Sequence, residues 1–168
     1  RKWFYSSRCL QCAIKWLYGG GQESGLRSGT EGTPAIFGFA AACEACNTTL
    51  RQDTLREKAL LTQLEEALGK LDGVVINGAH DAPHILSVAI PGIPTQNSIN
   101  ILQDSGICVS AGSACAKGHR SHVMTAMNLR PEIIDSSFRI SLCRDTTQEE
   151  IDKLVQVVQD DILPRVRA

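Results

Sequence analysis

Cys115 stands in the run Ser110-Ala111-Gly112-Ser113-Ala114-Cys115-Ala116-Lys117-Gly118, among small residues and just ahead of His119 and Arg120. Small neighbours leave a sulfur uncovered, and nearby cations favour the thiolate, the nucleophilic form. An ordinary loop cysteine is the plain alternative. Two further pairs, Cys9-x-x-Cys12 and Cys43-x-x-Cys46, have the spacing of zinc ligands. The gap between them is longer than in most ribbons or fingers, and the second pair falls in an expected helix. Residues three apart there merely share a face. No metal site is therefore expected, and a zinc-binding interaction domain stays only as an alternative.

Arg139 lies inside an apolar strand, Phe138-Arg139-Ile140. Buried, it would need a carboxylate or phosphate partner; with strict alternation it would instead face water. Gly19-Gly20-Gly21-Gln22-Glu23 lacks the Gly-Lys-Ser/Thr ending of a P-loop. The residues that follow it, Arg27, Ser28, Gly29 and Thr30, sit where a loop runs into a helix, and their amides and hydroxyls suit an anion. His80, His84, His119 and His122 show no metal spacing.

The elements that must carry these groups can be read from periodicity. Pro34 suits a first helical turn, and residues 35–68 favour helix, with Leu60, Leu64, Ala67 and Leu68 on one face and a break expected near Asn47-Thr48-Thr49. Gly69 and Gly73 end this unit. Short strands are expected at Val74-Val75-Ile76, at His84 to Ile90, at Ile107-Cys108-Val109 and at Phe138 to Leu142. Helices are expected from Thr95 to Ser105, from His122 to Asn128 with Ser121 as cap, and after Thr146-Thr147. There, Glu149 and Glu150 complete overlapping capping boxes. That last helix places Ile151, Leu154, Val155, Val158 and Ile162 on one face. The order after the long helix, β-β-α-β-α-β-α, predicts an α/β fold of α+β type: a small sheet with helices packed on it. Residues 1–18 resist assignment.

Composition narrows the function classes. With 17 basic against 18 acidic residues the formal net charge is −1, and no basic stripe marks a nucleic-acid partner. No apolar run approaches the length needed to span a bilayer. Seven cysteines without a signal-peptide pattern point to free thiols in a reducing, cytoplasmic setting. The chain begins at Arg1 rather than Met, as a processed or excised piece would.

Three of these stretches occur in one order that resembles a known family. Gly19 to Glu31, then Ser110 to Cys115, then Ser137-Phe138-Arg139-Ile140-Ser141-Leu142 are similar to the NifS/IscS-like cysteine desulfurases of the class V aminotransferase superfamily. The resemblance runs from about Tyr18 to the end of the chain. It implies the C-terminal domain of a fold-type I transferase dependent on pyridoxal phosphate. It implies that Cys115 is the catalytic cysteine that takes sulfur from L-cysteine. Arg139 is implied as the arginine that binds the substrate carboxylate, a task suited to a planar guanidinium. Thr30 is implied to reach the cofactor phosphate of the other subunit of a homodimer. The Ser-Ala-Gly-Ser-Ala-Cys run resembles the group with a long catalytic loop. Members of that group pass sulfur to acceptor proteins in iron–sulfur cluster assembly or tRNA thiolation.

The departures are equally specific. In the family the cofactor-binding lysine follows a histidine upstream of Gly-Gly-Gly-Gln-Glu. Here the four histidines are followed by Asp81, Ile85, Arg120 and Val123. Residues 1–18 are thus expected to be a connector, 19–50 a loop and helix start that belong with a large domain, and 51–168 the small domain. Such a chain would be inactive alone. A sulfur-accepting or dimer-binding module without catalysis is the rival within the same fold.

Overall fold

The computed structural model describes residues 17–78, 82–111 and 120–166. The chain divides into two compact units, Arg1–Thr48 and Thr49–Ala168. In the first unit Leu17 makes an isolated parallel bridge to Arg27, closing the glycine loop. Within that loop Glu23, Ser24 and Gly25 all have positive φ (51°, 57° and 80°). Two successive non-glycine residues in this left-handed region are uncommon and store strain.

Helix α1 spans Thr33–Gly69 without interruption. The break expected near Asn47-Thr48-Thr49 is therefore absent. The Thr48 hydroxyl donates to the Ala45 carbonyl at 2.7 Å, so the polar side chain bonds back into the helix instead of ending it. Leu60, Leu61, Leu64 and Leu68 are the buried residues of α1. They join a core with Leu86, Val88, Ile90, Phe138 and Ile140 from the sheet and Ile151, Leu154 and Ile162 from the last helices.

The second unit holds a four-stranded antiparallel sheet in the order β1-β2-β4-β3. The strands are β1 (Val75–Ile76), β2 (Ile85–Ala89), β3 (Ser110–Ala111) and β4 (Ser137–Ser141). Since β2 and β3 are each antiparallel to β4, they run parallel to each other. Helix α2 (Thr95–Asp104) makes the crossover between them, and β4 inserts into the gap, a split β-α-β arrangement. Alternation is plain in β4: Phe138 and Ile140 face the core while Arg139 and Ser141 are exposed.

The third strand forms later than Ile107-Cys108-Val109. Gly106 has φ 78°, and the amides of Gly106 and Ile107 bond back to the carbonyls of Gln103 and Leu102, each at 2.8 Å. The chain is still closing the end of α2 at Ile107, so sheet pairing begins only at Ser110. Helix α3 (His122–Ala126) is capped by Ser121, whose hydroxyl accepts from the Met124 amide at 3.4 Å. A short helix α4 (Pro131–Asp135), with Pro131 in its first turn, was not expected. Helix α5 (Gln148–Val157) opens on a full capping box made by Thr147 and Glu150. It passes through a π-helical stretch, Val158–Ile162, into α6 (Leu163–Val166). The Arg56 guanidinium donates to the carbonyls of Arg144 and Thr146, stapling α1 to the turn that precedes α5.

Candidate active site

Register places four polar residues in one row across the outer face of the sheet. Ser87 of β2 pairs with Arg139 of β4, and Arg139 pairs on its other side with Ser110 of β3. Asn77 follows β1 and extends the row, its amide donating to the Ser87 carbonyl at 2.9 Å. The row thus reads Asn77, Ser87, Arg139, Ser110.

Arg139 is the only cation of this row. Its side chain stands on the exposed face, and no hydrogen bond or ion pair to it is found among the described residues. Of the two environments open from sequence, the wet face is the one observed. Ser110, directly beside it, is followed after Ala111 by the stretch that contains Cys115. Cys115 itself lies outside the described residues, as do Cys9 and Cys12.

The downstream side of that stretch is held by charge. Arg120 donates through Nε to Asp135 Oδ1 at 2.8 Å and through Nη2 to Oδ2 at 2.6 Å. This two-pronged contact holds the Asp135 carboxyl below its ordinary range, the Arg120 charge assisting and desolvation opposing. The Arg120 guanidinium is pushed up by the same hydrogen bond. One of the three cations that were expected to favour a Cys115 thiolate is thus already committed to a carboxylate.

Asn77 is almost fully buried and its Nδ2 donates to Ser137 Oγ at 3.0 Å and Ser87 Oγ at 3.3 Å. Nothing in its sequence context singles it out, because Asn-Gly after a short strand reads as a turn. Asp135 was missed because the charge pairing crosses 15 residues and the helix that carries it was itself not foreseen.

Thr30 belongs to the other unit. The loop around it spends most of its polar groups on itself. The Ser28 hydroxyl donates to Gly20 O at 2.8 Å, the Gly29 amide to Gln22 Oε1 at 3.3 Å, and Arg27 Nη1 to Gly29 O at 3.0 Å. Thr30 is exposed, and its hydroxyl has no hydrogen bond among the described residues. The loop therefore fits a single side-chain contact to a phosphate rather than a full anion cradle.

Cys43 and Cys46 are free and exposed on α1. Among the described residues no group of three or more His, Cys, Asp or Glu could hold a metal ion. No helix among them is long and apolar enough to cross a membrane.

Comparison with known proteins gives a consistent pattern. The aminotransferase class-V family model matches residues 2–154. The mitochondrial cysteine desulfurase of Arabidopsis thaliana is 37% identical over 144 residues, 84% of this chain and 32% of the relative. A cysteine desulfurase of Nostoc sp. is 36% identical over 157 residues, 90% of this chain and 39% of the relative. Among solved structures, a NifS-like protein from Rickettsia africae superposes with a TM-score of 0.76 at 32% identity, covering 88% of this chain and 39% of that one. The chain spans about a third to two fifths of the length of the curated relatives it matches.

Proposed function

The chain belongs to the aminotransferase class-V family, and from that premise we propose that it is the carboxy-terminal portion of a cysteine desulfurase. The enzyme converts L-cysteine to L-alanine and leaves a persulfide on Cys115. What supports this reading is the setting of Arg139: an exposed, centrally placed guanidinium paired in register with the strand that leads to Cys115. A planar fork suits a carboxylate bidentately and so fixes the amino acid in one orientation.

Arg139 binds the substrate carboxylate and turns the thiol end of L-cysteine toward Cys115. Pyridoxal phosphate, when bound, supplies an electron sink for the substrate's α-carbon. The Cys115 thiolate bonds to the substrate sulfur as the carbon–sulfur bond breaks. The bond's electron pair stays with the substrate's β-carbon, which takes up a proton, and the carbon skeleton leaves as L-alanine. Thr30 donates its hydroxyl to the cofactor phosphate of the partner in a homodimer. The persulfide then passes to an acceptor thiol, of an iron–sulfur scaffold or a tRNA-thiolation protein. The setting is the cytoplasm.

None of the six lysines of this chain follows a histidine, so the 168 residues alone turn over no cysteine. Borohydride treatment of the chain with pyridoxal phosphate should label no single lysine stoichiometrically. The whole protein is the vehicle for the main test. Loaded with cofactor and given L-cysteine, it should release alanine and carry one extra sulfur on the Cys115 peptide, and Cys115→Ser should abolish both. Alanine release that persists in Cys115→Ser, or extra sulfur on another cysteine, overturns the reading.

A further inference from the structure

We propose that Asn77 is a positioning residue for Arg139, holding its guanidinium in the orientation that receives a substrate carboxylate. The proposal rests on the reading of Arg139 as the carboxylate clamp and names the group that aims it.

Hydrogen-bond direction fixes how the Asn77 amide is turned. The Ser137 hydroxyl donates its proton to the Ile133 carbonyl at 2.5 Å. It can therefore only accept from Asn77, so the atom at 3.0 Å from it must be the NH₂ nitrogen. The second Nδ2 hydrogen points to Ser87 Oγ at 3.3 Å. Both donors are then used. Oδ1 is left buried and without a hydrogen-bond partner among the described residues, in a side chain only 7% exposed. An orphaned buried acceptor is costly, and such an atom in a fold calls for a donor.

Arg139 is the matching donor. A guanidinium offers five N–H groups and accepts nothing, and those of Arg139 have no partner among the described residues. Asn77's two partners flank it: Ser87 sits directly opposite Arg139, and Ser137 precedes it by two on the same face. Asn77 and Arg139 are two strand spacings apart, roughly 9–10 Å between backbones, a gap that an asparagine and an extended arginine together close. With one N–H on Asn77 Oδ1, the guanidinium has a fixed plane, and its remaining edge is free for a two-pronged contact.

The test uses the whole, cofactor-loaded protein and measures equilibrium affinity from the cofactor's absorbance, with two ligands. L-alanine carries the carboxylate; cysteamine has the amine and thiol but no carboxylate. Asn77→Ala should weaken L-alanine about five- to tenfold and raise the Michaelis constant for L-cysteine similarly. Cysteamine affinity should not move. In an Arg139→Lys background, Asn77→Ala should add little, because the two act as one device. Asn77→Gln keeps both the donors and the acceptor oxygen of the amide and should retain more of the L-alanine affinity than Asn77→Ala, which also covers the case in which the alanine variant folds poorly. Equal losses for both ligands, full additivity with Arg139→Lys, or unchanged L-alanine affinity in Asn77→Ala each overturn the proposal. If Arg139→Lys itself leaves L-alanine affinity unchanged, the clamp reading fails and this proposal with it. If Arg139→Lys weakens L-alanine but Asn77→Ala does not, only the role of Asn77 fails.

Discussion

Arg120 and Asp135 meet edge to edge, Nε to Oδ1 at 2.8 Å and Nη2 to Oδ2 at 2.6 Å, and the contact ties the residue after stretch 112–119 to the foot of β4. Asp135 is itself fixed, since the Thr95 hydroxyl donates to the carbonyls of Asp135 and Ser137, each at 2.9 Å. On the other side of the stretch, Ser110 and Ala111 pair with Arg139 and Phe138. Both ends of the stretch that carries Cys115 are thus attached to one end of a single strand.

The ion pair sets a local expectation with a defined pH sign. About half of each side chain is exposed, so solvent screens the contact and global stability should move little in Asp135→Asn. Amide exchange over Arg120 to Ala126 should nevertheless quicken. The Asp135 carboxyl is held below its ordinary 3.8. Its contribution is therefore complete above that value and is lost as pH falls through the lower, folded-state one. Protection in this region, corrected for the intrinsic pH dependence of exchange, should stay flat from neutral pH down to about pH 5 and fall only in strong acid. A fall already at about pH 6 would mean that another group holds the segment.

Cys115 should outpace the other thiols toward an alkylating agent, and the competition is well defined. Cys43, Cys46, Cys108 and Cys143 are free and exposed, so exposure alone cannot rank them. With Arg120 committed to Asp135, the advantage of Cys115 must come from Lys117 and His119. Timed alkylation read by peptide mass should find Cys115 modified first. Lys117→Ala should slow it, whereas Arg120→Ala should slow it less. Equal rates at all exposed thiols would remove the electrostatic case.

The legible parts of this fold are those written in periodicity and capping. Ile151, Leu154 and Ile162 form one buried stripe, and Thr147 with Glu150 closes a capping box, because both signals are local, written within a single helix and its cap. The start of β3 was misplaced because Ile107 and Val109 are apolar for a different reason: both pack against the core while Ile107 finishes the α2 cap. Helix α4 hid in five residues, too few for any period to show. Among the candidate groups, Arg139 stands out in the sequence by interrupting an apolar strand. Asn77 and Asp135 could not, since their partners are set by strand register and by contacts distant in sequence.

Phe138 is the fully buried neighbour of Arg139 in the same strand, paired with Val88 on the core side. Phe138→Ala should destabilise the fold by about 3–5 kcal/mol, the transfer and cavity costs together. Denaturant unfolding with an unchanged slope would measure it. Thr147→Ala, which breaks only the capping box, should cost about 1 kcal/mol. A loss at Phe138 no larger than that at Thr147 would contradict the core drawn here.

Arg139→Lys separates a carboxylate clamp from an exposed strand residue. Lysine keeps the charge but gives up the planar, two-pronged geometry. In the whole protein the Michaelis constant for L-cysteine should rise about tenfold or more, consistent with the loss of about 1.5–3 kcal/mol from a charged hydrogen bond. Stability should barely change, because the side chain stands on the exposed face between two serines, Ser87 and Ser110, and removes no core contact. Phe138→Ala provides the contrast one residue away: a large loss of stability, with cysteine affinity retained in whatever fraction folds. If Arg139→Lys unfolds readily while its folded fraction keeps normal cysteine affinity, the guanidinium is structural. The carboxylate must then be bound elsewhere.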